Sequence, residues 1–96
     1  MTTVNYGDFE WDETKAAENE RKHKVTFVEA TTVFSDPNAI DAPDLVKPRR
    51  FVTIGMSQLS RVLFVVFAEK DAARIRIISA RKASPSQRRK YYEEGP

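Results

Sequence analysis

Ninety-six residues suffice for one domain around one core, expected here to run from about residue 6 to 93. Apolar residues make up 41% of the chain and form no run near the ~18–20 residues that span a bilayer, so a membrane protein is excluded. Net charge is only +2, but residues 1–46 hold ten acidic and four basic side chains, whereas residues 74–96 hold two and seven.

The acidic–basic split leaves two readings open: a phosphate-binding face in the C-terminal quarter, or a solvated basic helix and strand edge. Cysteine is absent, which excludes disulfides, thiolate metal sites and cysteine nucleophiles and fits a reducing compartment. The single histidine, His23, excludes any site needing two imidazoles. The start, Met1-Thr2-Thr3-Val4-Asn5, has no basic segment followed by an apolar one, so no secretory signal is expected and the location is read as cytoplasmic.

In chain order, Tyr6–Trp11 reads as a first strand. Asp12 then caps a helix that ends near His23 or Lys24. Thr26-Phe27-Val28-Glu29 has the capping-box pattern of a second helix, followed by Phe27, Ala30, Thr31 and Phe34 at helical spacing. Ser35-Asp36-Pro37-Asn38 breaks it, and the polar, proline-bearing stretch to Pro48 reads as a loop. Arg50–Met56, Val62–Phe67 and Ile75–Ala80 read as three strands. The second is apolar throughout and is expected to be central and covered on both faces. Short connections at 57–60 and 71–73 make them antiparallel hairpins. Ser84-Pro85-Ser86-Gln87 starts a last helix, with Gly95-Pro96 stopping it. The order β-α-α-β-β-β-α predicts an α+β domain, with helices packed on an antiparallel sheet.

Three groups of side chains stand out. Trp11, Lys15, Asn19 and Lys22 share one face of the first helix, with His23 one residue round. That face suits stacking a base and neutralising a phosphate, or else Trp11 is core and the lysines are solvated. Arg74, Arg76, Arg81 and Lys82 lie on and after the last strand, with Arg50 on another. Arginine suits phosphate because its planar fork donates two parallel hydrogen bonds. Arg76 and Arg81 are an odd number of residues apart, so a bulge or an early strand exit is needed before they can serve one site. Arg76, flanked by isoleucines, needs an anionic partner: either a ligand or a helix carboxylate such as Glu20 or Glu29. Arg88, Tyr91 and Tyr92 share a face of the last helix, where a tyrosine can stack a base or handle a proton, or else dock the helix on the sheet, as one of them is expected to do. No metal-ligand spacing, glycine-rich phosphate loop or serine–histidine–acid set is present, so neither metal nor cofactor is expected.

Phe9-Glu10-Trp11-Asp12, Lys15, Asn19, Lys22-His23, Val25, Phe27, Ala30 and Val33-Phe34-x-Asp36-Pro37 resemble the first half of the BrnT toxin family. Arg50-Phe51, Ile54-Gly55, Leu63, Val65-Val66, the block Arg74-Ile75-Arg76-Ile77-Ile78-Ser79-Ala80-Arg81-Lys82-Ala83 and Arg88-Arg89-x-Tyr91 resemble the second half. The resemblance implies a RelE-like fold, metal-independent RNA cleavage that inhibits translation, and a hetero-oligomer with a BrnA-like ribbon-helix-helix antitoxin. Operator DNA would be bound only through that antitoxin. Two positions depart from the family pattern. Lys24 follows Lys22-His23 where the family usually has glycine, and lysine costs roughly 1 kcal/mol more in a left-handed helix end. Lys47-Pro48-Arg49-Arg50 lacks the glutamate the family places just before this strand arginine.

The residues expected to hold the scissile phosphate and move protons are therefore Lys22, His23, Arg50, Arg76 and Arg81, with Lys15, Asn19, Lys82, Arg88 and Tyr91 contacting the RNA. The alternative is a catalytically weak or inactive homologue, an antitoxin-binding module and transcriptional co-repressor.

Overall fold

The computed structural model describes residues 2–71 and 73–94. The predicted stop at Gly95-Pro96 lies outside the described residues, as does Ala72 in the last hairpin connection. The fold is α+β, as predicted: a six-stranded sheet in the order β1-β2-β6-β5-β4-β3 with helices on both faces.

The chain opens with a hairpin where one strand was expected. Strands β1 (Thr3–Tyr6) and β2 (Phe9–Asp12) pair antiparallel about Gly7-Asp8. Gly7 takes φ +58°, which a glycine adopts without the Cβ clash. Asp12 caps α1 (Glu13–His23), its Oδ2 accepting from the Lys15 amide at 3.0 Å. The helix ends on Lys24 at φ 59°, ψ 33°, so the left-handed end is kept without glycine. Thr26 caps α2 (Phe27–Thr31) through its Oγ1, which accepts from the Glu29 amide. The capping box is only half made. Glu29 turns inward to Arg61 and to Ser57, whose Oγ donates to it at 2.6 Å. A 3₁₀ turn, Thr32–Ser35, continues the chain.

The expected loop before Pro48 contains a strand, β3 (Ile40–Pro43), on the sheet edge. Pro43 is tolerated there because an edge strand has one row of amides without a ladder partner. Strands β4 (Arg50–Met56), β5 (Val62–Glu69) and β6 (Ile75–Lys82) form the predicted antiparallel meander, with β5 central. The sheet is not wholly antiparallel, since β2 runs parallel to β6 through Phe9↔Ile75 and Glu10↔Arg76. Helix α3 (Pro85–Glu94) starts with a complete capping box: the Gln87 amide donates to Ser84 Oγ, and the Ser84 amide donates to Gln87 Oε1.

Two apolar clusters lie on opposite faces. Leu63, Val65 and Phe67 of β5 pack with Trp11, Val25, Phe27, Ala30 and Val33 under α1 and α2. Trp11 is core, only 5% exposed and edge-on to Phe27. Gly55 lets the 3₁₀ turn approach this face, because a Cβ there would sit 3.1 Å from the Cβ atoms of Val33 and Ala39. On the other face, Ile54, Val62, Ala83 and Tyr91 gather under α3. This helix covers only one end of that face, and the remainder is open.

Candidate active site

Side chains of register partners on neighbouring strands point to the same face. One row across the open face therefore reads Glu10 (β2), Arg76 (β6), Ala68 (β5), Arg50 (β4). Arg50 and Arg76 are two strand spacings apart, about 10 Å between backbones, with only the Ala68 methyl group between them. Arg76 leans to Glu10, donating from Nη1 to Oε2 at 2.5 Å. The anionic partner of Arg76 is thus neither Glu20 nor Glu29 but Glu10. Arg50 makes no ion pair among the described residues.

The bulge needed to bring Arg81 to this face is present. Val66 pairs with Ser79 and Phe67 with Ile77, so Ile78 is the extra residue. Arg81 therefore stands on the same face as Arg76, opposite Phe64, with its guanidinium 4.4 Å over that ring. It donates to Gln87 Oε1 and to the Lys82 carbonyl. The β5 partners of Arg76 and Arg81 are four residues apart, about 13 Å at roughly 3.3 Å per residue, and the two guanidiniums turn apart, Arg76 to Glu10 and Arg81 to Gln87. Arg74 is structural: its Nη1 donates to the Gly7 and Phe9 carbonyls and holds the first hairpin against β6.

Beyond Arg76, strand β2 has left the sheet and α1 lies along β6 instead. A cleft there is lined by Lys15, Lys22 and His23 of α1, with Glu18 beside them and Ile78 and Ser79 of β6 opposite. Ser79, as the partner of Val66, belongs to the open face, so this cleft adjoins the arginine row from the edge. Lys22 and His23 thus flank the row and are not part of it. Asn19 is buried beneath them. Its Nδ2 donates to the Val25 and Ala80 carbonyls at 3.0 and 2.8 Å, and its Oδ1 accepts from the Ala80 amide. That use ties α1 to β6 and leaves no amide proton for the expected RNA contact.

Tyr91 is also committed elsewhere. It is 5% exposed and donates its hydroxyl to Asp36 Oδ2 at 2.5 Å, docking α3 as one tyrosine was expected to do. Burial, reinforced by the Asp36 carboxylate, pushes its phenol up to about 12. Burial alone would raise the Asp36 carboxyl, but hydrogen bonds from Tyr91 and from the Met56 and Asn38 amides outweigh it and hold it below the usual carboxylate range. Glu29 follows the same logic. Burial opposes its charge, and Arg61 with Ser57 more than restores it. Lys82 and Arg88 sit apart from the row, in a cleft beside α3.

Glu10 is the residue the sequence reading missed. It lies in Phe9-Glu10-Trp11-Asp12, where alternation places it opposite Trp11, away from the core. Nothing local couples it to Arg76, which follows it by 66 residues. The row offers two guanidiniums for an anion and a carboxylate beside one of them, flanked by an imidazole and two ammonium groups. That set can grip a phosphodiester and exchange protons around it.

No curated protein matches the chain. The crystal structure of the Brucella abortus ribonuclease toxin, BrnT, superposes with a TM-score of 0.65 and 28% identity, over 77% of this chain and 92% of that one. The profile of the ribonuclease toxin BrnT, of type II toxin–antitoxin systems, matches residues 11–87. This chain belongs to that family.

Proposed function

We propose that this chain cuts RNA by transesterification at the ribose 2′-hydroxyl, on the open face of the sheet, with side chains alone supplying the proton transfers. The carrying observation is the row Glu10–Arg76–Ala68–Arg50. In this reading Arg50 and Arg76 hold the scissile phosphate over the Ala68 methyl group. Glu10 takes the proton of the attacking 2′-hydroxyl, whose oxygen bonds to phosphorus. The 5′-oxygen leaves with a proton from His23 at the β6 edge, giving a 2′,3′-cyclic phosphate. Lys15 and Lys22 neutralise neighbouring phosphates, and Arg81 holds a further one. The cell's translated RNA is the substrate, in the cytoplasm.

A toxin of a type II system has an antitoxin partner. The partner proposed here is a BrnA-like ribbon-helix-helix protein that covers the basic open face and carries the pair to operator DNA. A cocrystal with the antitoxin on the α1–α2 face would overturn that placement.

Purified protein freed of antitoxin is expected to cleave RNA in EDTA. Cleavage that stops in EDTA and returns with a divalent metal would remove the metal-free mechanism. A folded Arg50→Ala/Arg76→Ala variant that cleaves at the wild-type rate would remove the site. The missing carboxylate in Lys47–Arg50 favours a second reading, an inactive antitoxin-binding module. Growth arrest on expression of the toxin alone supports the nuclease. Unaffected growth of cells holding soluble protein supports the module.

A further inference from the structure

A second basic cleft lies outside the row, between α3, the end of β6 and the β4–β5 turn. It is lined by Ser60, Arg61, Val62, Lys82, Arg88 and Tyr92. Three of these are cationic and none is a carboxylate. Arg61 is neutralised by Glu29 and also donates to the Lys24 carbonyl, so the charge left for a ligand is that of Lys82 and Arg88. Both are exposed. Tyr92 is 60% exposed, and its ring makes an edge contact with Tyr91 at 5.2 Å and 77°. Tyr91 is itself pinned to Asp36. The cleft thus presents an exposed aromatic ring beside two cations that make no ion pair among the described residues, over a floor containing Val62.

We propose that this cleft is a second nucleotide-binding site, in which Tyr92 stacks on a base and Lys82 with Arg88 holds the adjoining phosphate of single-stranded RNA. The cations alone would suit an acidic peptide as well, but an exposed ring beside them adds a flat face on which any base can stack. The cleft begins one residue after Arg81, whose guanidinium bonds the Lys82 carbonyl. Arg81 turns toward Gln87 at the start of α3 while Arg76 turns to Glu10, so a strand running from the row toward α3 meets further cations along its length. The inference takes its ligand class from the nuclease reading above, but its test needs no cleavage.

Binding of a labelled single-stranded 2′-O-methyl oligoribonucleotide, which lacks the attacking hydroxyl, is measured by fluorescence anisotropy over a range of salt. Tyr92→Ala is expected to weaken binding about tenfold or more, and Tyr92→Phe to bind as the wild type does. Arg88→Ala is expected to reduce the slope of log affinity against log salt by about 0.7, one phosphate contact on a single strand. Wild-type affinity in Tyr92→Ala, equal losses in the alanine and phenylalanine variants, or an unchanged salt slope would overturn the assignment. So would variants that bind RNA normally but lose the antitoxin, which would make the cleft a protein site. Loss of binding in Tyr92→Ala from a protein that cuts no RNA would keep the cleft and remove the nuclease reading.

Discussion

Lys24 carries a local cost that the rest of the turn absorbs. Its backbone is left-handed, its amide closes α1 on the Glu20 carbonyl, and its carbonyl accepts from Arg61. The conformation is enforced because Val25, fully buried, must turn into the core directly after it. Relief of the Cβ clash in Lys24→Gly is expected to stabilise the fold by roughly 0.5–1 kcal/mol, less a little for added freedom of the unfolded chain. Urea unfolding reads this directly, and a variant less stable than wild type would show that the Lys24 side chain matters more than its backbone. Asn19 is the opposite case, a polar side chain whose removal strands three backbone groups. Asn19→Ala leaves the Ala80 amide and the Ala80 and Val25 carbonyls buried without partners, a loss of roughly 3 kcal/mol. RNA cleavage per folded molecule should be unchanged. A stable Asn19→Ala with weakened RNA binding would return this residue to the RNA interface.

Helix α3 shows how an element with little buried surface is held. Its only buried residue is Tyr91, so the Tyr91–Asp36 hydrogen bond positions the whole helix over Ile54 and Val62. Tyr91→Phe is expected to cost roughly 2 kcal/mol, since Asp36 loses a charge-assisted donor. The pH dependence has two limbs. The Asp36 carboxyl is depressed, so its contribution is present above the ordinary 3.8 and is lost as pH falls through the folded value. The Tyr91 phenol is raised, so its contribution is present below 10 and is lost as pH climbs to about 12. Stability measured against pH should lose the alkaline limb of this residue in Tyr91→Phe; an unchanged limb would place the titration elsewhere. The same element marks what a sequence reveals. The caps at Asp12, Thr26 and Ser84 and the meander β4–β6 were legible because each depends on residues close in the chain. The bulge at Ile78 was legible as a condition, from the odd spacing of Arg76 and Arg81. The first hairpin was missed because β1 is short and mostly exposed, so the alternation Thr3-Val4-Asn5-Tyr6 is too brief to stand out, and the Gly7-Asp8 turn was read as part of one strand. Strand β3 was missed because Pro43 and polar neighbours imitate a loop. The half-made capping box was misread because the pull of Arg61 on Glu29 acts across 32 residues.

At the scale of the molecule, the candidate site depends on one non-local event, the parallel docking of β2 on β6. That pairing spans only two register positions, one of which is Glu10↔Arg76. Connection of the first hairpin to the last long strand therefore also delivers the carboxylate to the arginine row. The Lys47–Arg50 stretch has no carboxylate of its own, so Glu10 is the acid at hand on that row, although it reaches Arg76 and not Arg50. Its charge occupies the Arg76 guanidinium, and in the proposed mechanism an RNA phosphate competes for it. In that mechanism Glu10 thus has two opposed effects, a base for the 2′-hydroxyl and a rival for the phosphate. Glu10→Gln keeps the shape, removes the base and weakens the rival. The expected outcome is a kcat lowered about 10²–10⁴-fold, the usual span for a general base. Affinity for a non-cleavable oligoribonucleotide should hold or tighten, because Arg76 is released from its ion pair. A merely structural role for Glu10 predicts that both quantities worsen together as the first hairpin loosens, and steady-state kinetics beside equilibrium binding on the same folded variant separates the two.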